Sequence, residues 1–137
     1  MRVALFGGTG FVGSYLIDAM VAAGHQPRLL VRGGSTGKVS SPQKCQLVTG
    51  DIAQMDAVRA VVEGCDAVIY NIGILREHPR QGVTFRALQY EGARIAIDAA
   101  QRAGVKRFVL MSANGVKAKD RVLIYMPMVA EAAFAML

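Results

Sequence analysis

Gly7-Gly8-Thr9-Gly10-Phe11-Val12-Gly13 is the stretch that decides how this chain folds. Val3-Ala4-Leu5-Phe6 precedes it and reads as a strand. Beyond it, Val12, Leu16, Met20 and Ala23 recur at helical spacing, and Gly24 ends that helix. A strand and a helix are thus joined by four residues, three of them glycine. Two glycine registers fit at once: Gly8-x-Gly10-x-x-Gly13 and Gly7-x-x-Gly10-x-x-Gly13. Glycines at this spacing allow a tight turn, backbone approach to a pyrophosphate and close helix-strand packing. The helix N-terminus behind them offers free N–H groups and about half a positive charge to phosphate. Since the motif follows a strand and opens a helix within a unit of βαβ size, it predicts a dinucleotide-binding loop.

Outward from this loop, short apolar runs alternate with amphipathic segments, which predicts βαβ units and a parallel sheet. His25-Gln26-Pro27 reads as a turn, Leu29-Leu30-Val31 as the second strand, and Ser35 to Lys44 as a polar loop with at most one short helical turn. Gln46-Leu47-Val48 is the third strand. A helix with Met55, Val58 and Val62 inward follows and stops at Gly64. Ala67-Val68-Ile69-Tyr70 is the fourth strand. The longest helix carries Phe85, Leu88, Gly92, Ile95 and Ala99 on its inner stripe, where Gly92 would let the axis approach the sheet, and it ends at Gly104. Phe108-Val109-Leu110-Met111 is the fifth strand, apolar enough for both faces to be covered. Right-handed crossovers give a doubly wound α/β Rossmann sheet, strand order 3-2-1-4-5, with helices on both faces.

A chain of 137 residues has room for one domain and one core. It is 53% apolar and 19% charged, which excludes disorder and fits a sheet buried on both sides. No run of 18 apolar residues occurs, so no membrane span is expected. The N-terminus has no signal-peptide pattern. Cys45 and Cys65 match no metal-ligand spacing and read as reduced core cysteines of a cytoplasmic protein. The net charge of +6 is spread over scattered Lys and Arg without interleaved aromatics, so no nucleic-acid partner is expected.

Arg32 stands nineteen residues after Gly13, at the tip of the second strand. An acidic residue there grips the ribose 2′-hydroxyl of NAD, whereas an Arg accommodates a 2′-phosphate. No Asp or Glu lies between Asp18 and Asp51. Arg32, helped by Lys38, therefore predicts NADP(H) as the preferred cofactor, with NAD(H) as the alternative.

Five segments arrive in a familiar order: GGTGFVG at 7–13, LLVRGGS at 29–35, VTGDI at 48–52, DAVIYNIGILRE at 66–77 and YEGARIAIDAAQRAGVKRFVLMSANGV at 90–116. On these the chain resembles the atypical short-chain dehydrogenases, and more narrowly the NmrA-like sensors and the NADPH-binding accessory subunit of respiratory complex I. The resemblance implies that Asp51 and Ile52 meet the adenine, although Asp51 could instead cap the following helix. It implies that Asn71, Ile72 and Gly73 run beside the adenosine ribose, although Asn71 could instead be a strand-end turn residue. It places Met111 and Ser112 toward the nicotinamide.

In that family a Tyr acts as acid/base, and a Lys four residues later lowers its pKa. The need is physical: a phenol titrating near 10 is a poor base at neutral pH unless a cation stabilises its phenolate. Tyr125 and Ser112 are the catalytic candidates here, with Ser112 and Ala113 competing for the family's serine position. Position 129, however, is Val, and Pro127 interrupts the expected helix. Two readings follow. One is an NADP-dependent oxidoreductase or epimerase acting on a small carbonyl compound or nucleotide-sugar. The other, favoured by Val129, is a binding module that holds NADPH without turnover. Residues 1–116 read as the dinucleotide-binding domain. Residues 117–137 read as a divergent apolar segment, the start of a larger protein's substrate-binding part. The open edge of the fifth strand and this apolar tail predict a homodimer.

Overall fold

The computed structural model describes residues 1–112. Tyr125, Val129, the boundary expected at 116/117 and the apolar tail lie outside them.

The described residues form a five-stranded parallel sheet in the order β3-β2-β1-β4-β5, as the sequence predicts. The strands are β1 (Arg2–Phe6), β2 (Gln26–Val31), β3 (Gln46–Thr49), β4 (Ala67–Tyr70) and β5 (Arg107–Leu110); the helices are α1 (Phe11–Ala22), α2 (Met55–Val62) and α3 (Gly92–Arg102). Alternation along the strands divides the core in two. Val3 and Leu5 of β1, Leu29 and Val31 of β2, and Ala67 and Ile69 of β4 pack against Leu16, Ile17 and Met20 of α1. Ala4, Phe6, Leu30, Val68 and Tyr70 point the other way, onto Val58, Val61 and Val62 of α2 and the alanines of α3. Both faces are therefore covered. Each fully buried side chain such as Leu5 or Ile17 contributes about 1.5–3 kcal/mol by leaving water.

The inner faces differ from the predicted stripes by about one position. On α1 the buried residues are Gly13, Leu16, Ile17 and Met20, while Val12 and Ala23 are exposed. On α2, Val61 joins Val58 and Val62, and Met55 is half exposed. The predicted turn at 25–27 is instead the start of β2. Pro27 pairs with Val3 of β1, and β3 joins only from Arg28 onward, so Pro27 interrupts no second ladder. β5 begins one residue early and is not buried on both faces: Phe108 and Val109 are half-buried and Leu110 is exposed. The polar stretch after β2 forms two short 3₁₀ segments, Gly33–Lys38 and Pro42–Lys44, pinned by the buried Val39 between them. Arg28 ties the layers together, donating to Gln46 Oε1 of β3 and to the Ala60 and Glu63 carbonyls at the end of α2.

The long helix opens as a π-helical segment, Arg86–Glu91, and becomes α3 at Gly92. Gly92 has the close approach its position predicts. A Cβ there would collide with the Tyr70 hydroxyl and stand 3.0 Å from Ile52 Cγ1.

Candidate functional site

Strand order reverses between β1 and β4, and the loops leaving the carboxyl ends of such strands form the crevice where open α/β sheets bind ligands. The ends are held in step by the backbone: Asn71 N–H donates to the Phe6 carbonyl, Gly50 N–H to that of Val31 and Met111 N–H to that of Tyr70.

The loop after β1 is shaped by its glycines. Gly7 has φ +88°, a left-handed conformation, and a Cβ on it would lie 2.6 Å from the Asn71 carbonyl oxygen. At Gly13 a Cβ would run into the Gly7 carbonyl and lie 2.7 Å from the Gly8 backbone. The loop thus folds back on itself, with Gly10 N–H donating to the Gly7 carbonyl and Asn71 Nδ2 reaching the same oxygen. Gly10, in extended conformation, is the N-cap of α1 and has no side chain to cap it. The first-turn N–H groups of Phe11, Val12 and Gly13 have no carbonyl a turn earlier to bond, and the first turn holds no acidic residue. A concave, anion-accepting backbone results.

Beside this loop lies a cavity of about 360 Å³. Of the residues nominated from sequence, Gly7, Thr9, Gly10, Arg32, Asp51, Ile52, Asn71, Ile72 and Gly73 line it. Gly8 and Gly13 serve the loop's packing from beneath. Phe11 and Val12 project outward from α1, with Phe11 stacked edge-on against Tyr15. Met111 packs into the core under α1, and Ser112, the last described residue, is half-buried outside the cavity lining.

Further lining residues escaped the sequence reading. Ser35 joins Arg32 and Lys38 in the wall supplied by the segment after β2. Ile74 and Val83, which no periodicity marks as inward, complete an apolar wall with Leu88 of the predicted helix stripe. Asp51 stands at the cavity and also shapes the approach to α2. Its carboxylate lines the cavity, yet one oxygen accepts from Ala53 N–H while Gln54 Oε1 accepts from Asp51 N–H. This is an Asx turn ahead of α2, whose N-cap is Gln54.

Burial, with the Asp51 charge adding to it, holds the Tyr70 phenol well above its ordinary value. Burial likewise raises the thiols of Cys65 and Cys45, both free. Among the described residues no cluster of His, Cys, Asp and Glu could hold a metal, and no helix is long and apolar enough to cross a membrane.

A glycine cradle that a Cβ would fill, a helix N-terminus without acid, and basic and apolar walls fit a dinucleotide. A family model described as NAD(P)H-binding matches residues 7–135. The chain belongs to this NAD(P)H-binding family. Similar proteins include a ceramide reductase of Caulobacter vibrioides, 34% identical over 110 residues, with 80% of this chain and 34% of the relative covered. A 3β-hydroxysteroid dehydrogenase/Δ5→4-isomerase of Mycobacterium tuberculosis is 33% identical, covering 84% of this chain and 32% of the relative. Among solved structures, a short-chain dehydrogenase/reductase superfamily protein from Agrobacterium tumefaciens with bound NAD superposes with TM-score 0.67 at 27% identity. The match covers 82% of this chain and 33% of that one. This NAD(P)H-binding chain is thus a Rossmann domain of the atypical short-chain dehydrogenase type, and it spans about a third of the length of these relatives.

Proposed function

We propose that the chain holds NADP(H) in the cavity beside the glycine loop and acts as a cofactor-binding unit without turnover of its own. The observation that carries this reading is that Arg32 and Lys38 line the same cavity as the glycine loop and Asp51. In this reading the first-turn N–H groups of α1 take the pyrophosphate, and Asp51 and Ile52 take the adenine. Asn71 to Gly73 follow the ribose, and Arg32 with Lys38 takes the 2′-phosphate. Arg32 has no carboxylate partner among the described salt bridges, so its guanidinium is free to take a phosphate. Absence of turnover is supported by Val129, which stands four residues after Tyr125, where the family pattern has the Lys that stabilises a phenolate base.

Calorimetric titration tests the cofactor preference. The expected result is tighter binding of NADPH than NADH by about tenfold, the size of one solvent-screened charge-assisted contact. Arg32→Ala should remove that preference while changing NADH affinity less than about twofold. Equal losses for both cofactors would refute the 2′-phosphate role.

A second reading, an NADP-dependent oxidoreductase, is favoured by relatives named as a reductase and a dehydrogenase. Bound NADPH would supply the hydride, Tyr125 the proton and Ser112 a hydrogen bond to a substrate carbonyl. It predicts carbonyl-dependent NADPH oxidation that Tyr125→Phe abolishes; turnover indifferent to that change sinks the assignment.

A further inference from the structure

Among the described residues Tyr70 is the one tyrosine of the core, 1% exposed at the carboxyl end of β4, one residue before Asn71. Its ring packs on Phe6 with centroids 5.8 Å apart, and its hydroxyl donates to the Leu88 carbonyl. Two features make room for that bond. Gly92 has no Cβ to occupy the hydroxyl's place. The π-helical geometry of Arg86–Glu91 sends Gly92 N–H to the Ala87 carbonyl, five residues back. In an α-helix that N–H would bond Leu88. The π turn therefore frees the Leu88 carbonyl from its helical donor, and Tyr70 takes it. Such single π turns recur at functional sites.

Leu88 and Ile52 both line the cavity, and Ile52 packs over Gly92 on the side away from solvent. The segment bearing Leu88 is otherwise fixed at its beginning, where Thr84 Oγ1 accepts from Ala87 N–H and Glu77 Oε1 from Phe85 N–H. At Leu88 the backbone N–H bonds the Thr84 carbonyl, and the Leu88 carbonyl takes the Tyr70 hydroxyl. We propose that Tyr70 is a positioning residue: its hydroxyl, seated over Gly92 and bonded to Leu88, sets the apolar wall at the Asp51 end of the cofactor cavity. This rests on the reading of that cavity as the dinucleotide site. A phenol is protonated at neutral pH and burial only raises it further, so the hydroxyl stays a donor.

The test uses the full chain, titrated with NADPH, NADH and 2′,5′-ADP, with circular dichroism recorded under the same conditions. Tyr70→Phe keeps the ring and removes only the hydroxyl. It should weaken all three ligands by a common factor of about ten, the size of one buried hydrogen bond, and leave the NADPH-to-NADH ratio unchanged. Gly92→Ala, which puts a methyl where the hydroxyl sits, should do the same. The double variant should lose little more than the worse single one, because both changes break one contact.

Unchanged affinity in Tyr70→Phe overturns the proposal. So does a loss that only follows the unfolded fraction seen by circular dichroism, and so do additive losses in the double variant. If the unsubstituted chain binds none of the three ligands, the dinucleotide reading itself falls; that result cannot be confused with the others, which all begin from measurable binding.

Discussion

Two glycine-rich loops leave adjacent strands, and they use glycine in opposite ways. In the loop after β1 two glycines, Gly7 and Gly13, are demanded by the protein's own backbone. A Cβ at Gly7 meets the Asn71 carbonyl, and one at Gly13 meets Gly7 and Gly8. In the loop after β2, a Cβ at Gly34 or Gly37 would meet nothing within 4 Å, and one at Gly33 only the Thr49 methyl at 3.9 Å. The first loop is shape, fixed before any ligand arrives. The second is a carrier of side chains, and Arg32, Ser35 and Lys38 are what it brings to the cavity. In the proposed reading, recognition of a pyrophosphate rests on the first and discrimination between dinucleotides on the second.

The sharpest way to break this contrast is Gly13→Ala. The methyl has only backbone to displace, so the fold should lose about 3 kcal/mol or more, and NADPH binding with it. Thermal melts would then fall by more than about 10 °C; an unchanged melting temperature would mean that the loop yields and the contrast is false. Removing both cations, Arg32→Ala with Lys38→Ala, should lower NADPH affinity by about tenfold in calorimetry and bring it level with NADH. Melting should move by less than about 2 °C, since both side chains are exposed. A large loss of stability would make the second loop structural after all.

Salt separates the loops more gently. Raising ionic strength from about 0.05 M to about 0.5 M should weaken NADPH several-fold more than NADH, because exposed cations are screened and backbone packing is not. Parallel salt curves would count against a 2′-phosphate contact. Smallest of all is Gly34→Ala, whose φ is not left-handed and whose Cβ has open space. Stability should stay within about 0.5 kcal/mol or rise by up to about 1 kcal/mol through a stiffer unfolded chain. A marked loss would reveal a constraint the backbone does not display.

The legibility of these regions in sequence follows the same division. Glycine spacing, strand order and the helix stops at Gly24, Gly64 and Gly104 could be read because each is set locally, by backbone demands at neighbouring positions. Gly92 could be read as a close approach, but what approaches it could not. Tyr70 lies 22 residues earlier, and only the fold joins them. The helix faces were misplaced by one residue because α1 is apolar almost all round, so Val12 and Ile17 compete equally for the core until the sheet chooses. Pro27 read as a turn residue because its tolerance in β2 depends on where β3 begins. Ile74 and Val83 lie in an irregular segment where neither a period of two nor of 3.6 applies, whereas Leu88 is legible on the helix stripe and only its π turn is not.

The central claim, that one cavity takes the pyrophosphate by shape and the 2′-phosphate by charge, is tested most directly by a crystal structure of the chain with NADPH. The account predicts the pyrophosphate against the first-turn N–H groups of α1 and the 2′-phosphate within hydrogen-bond distance of Arg32 or Lys38. A nucleotide seated away from the glycine loop, or a 2′-phosphate turned to solvent on the far side from Arg32, would contradict it.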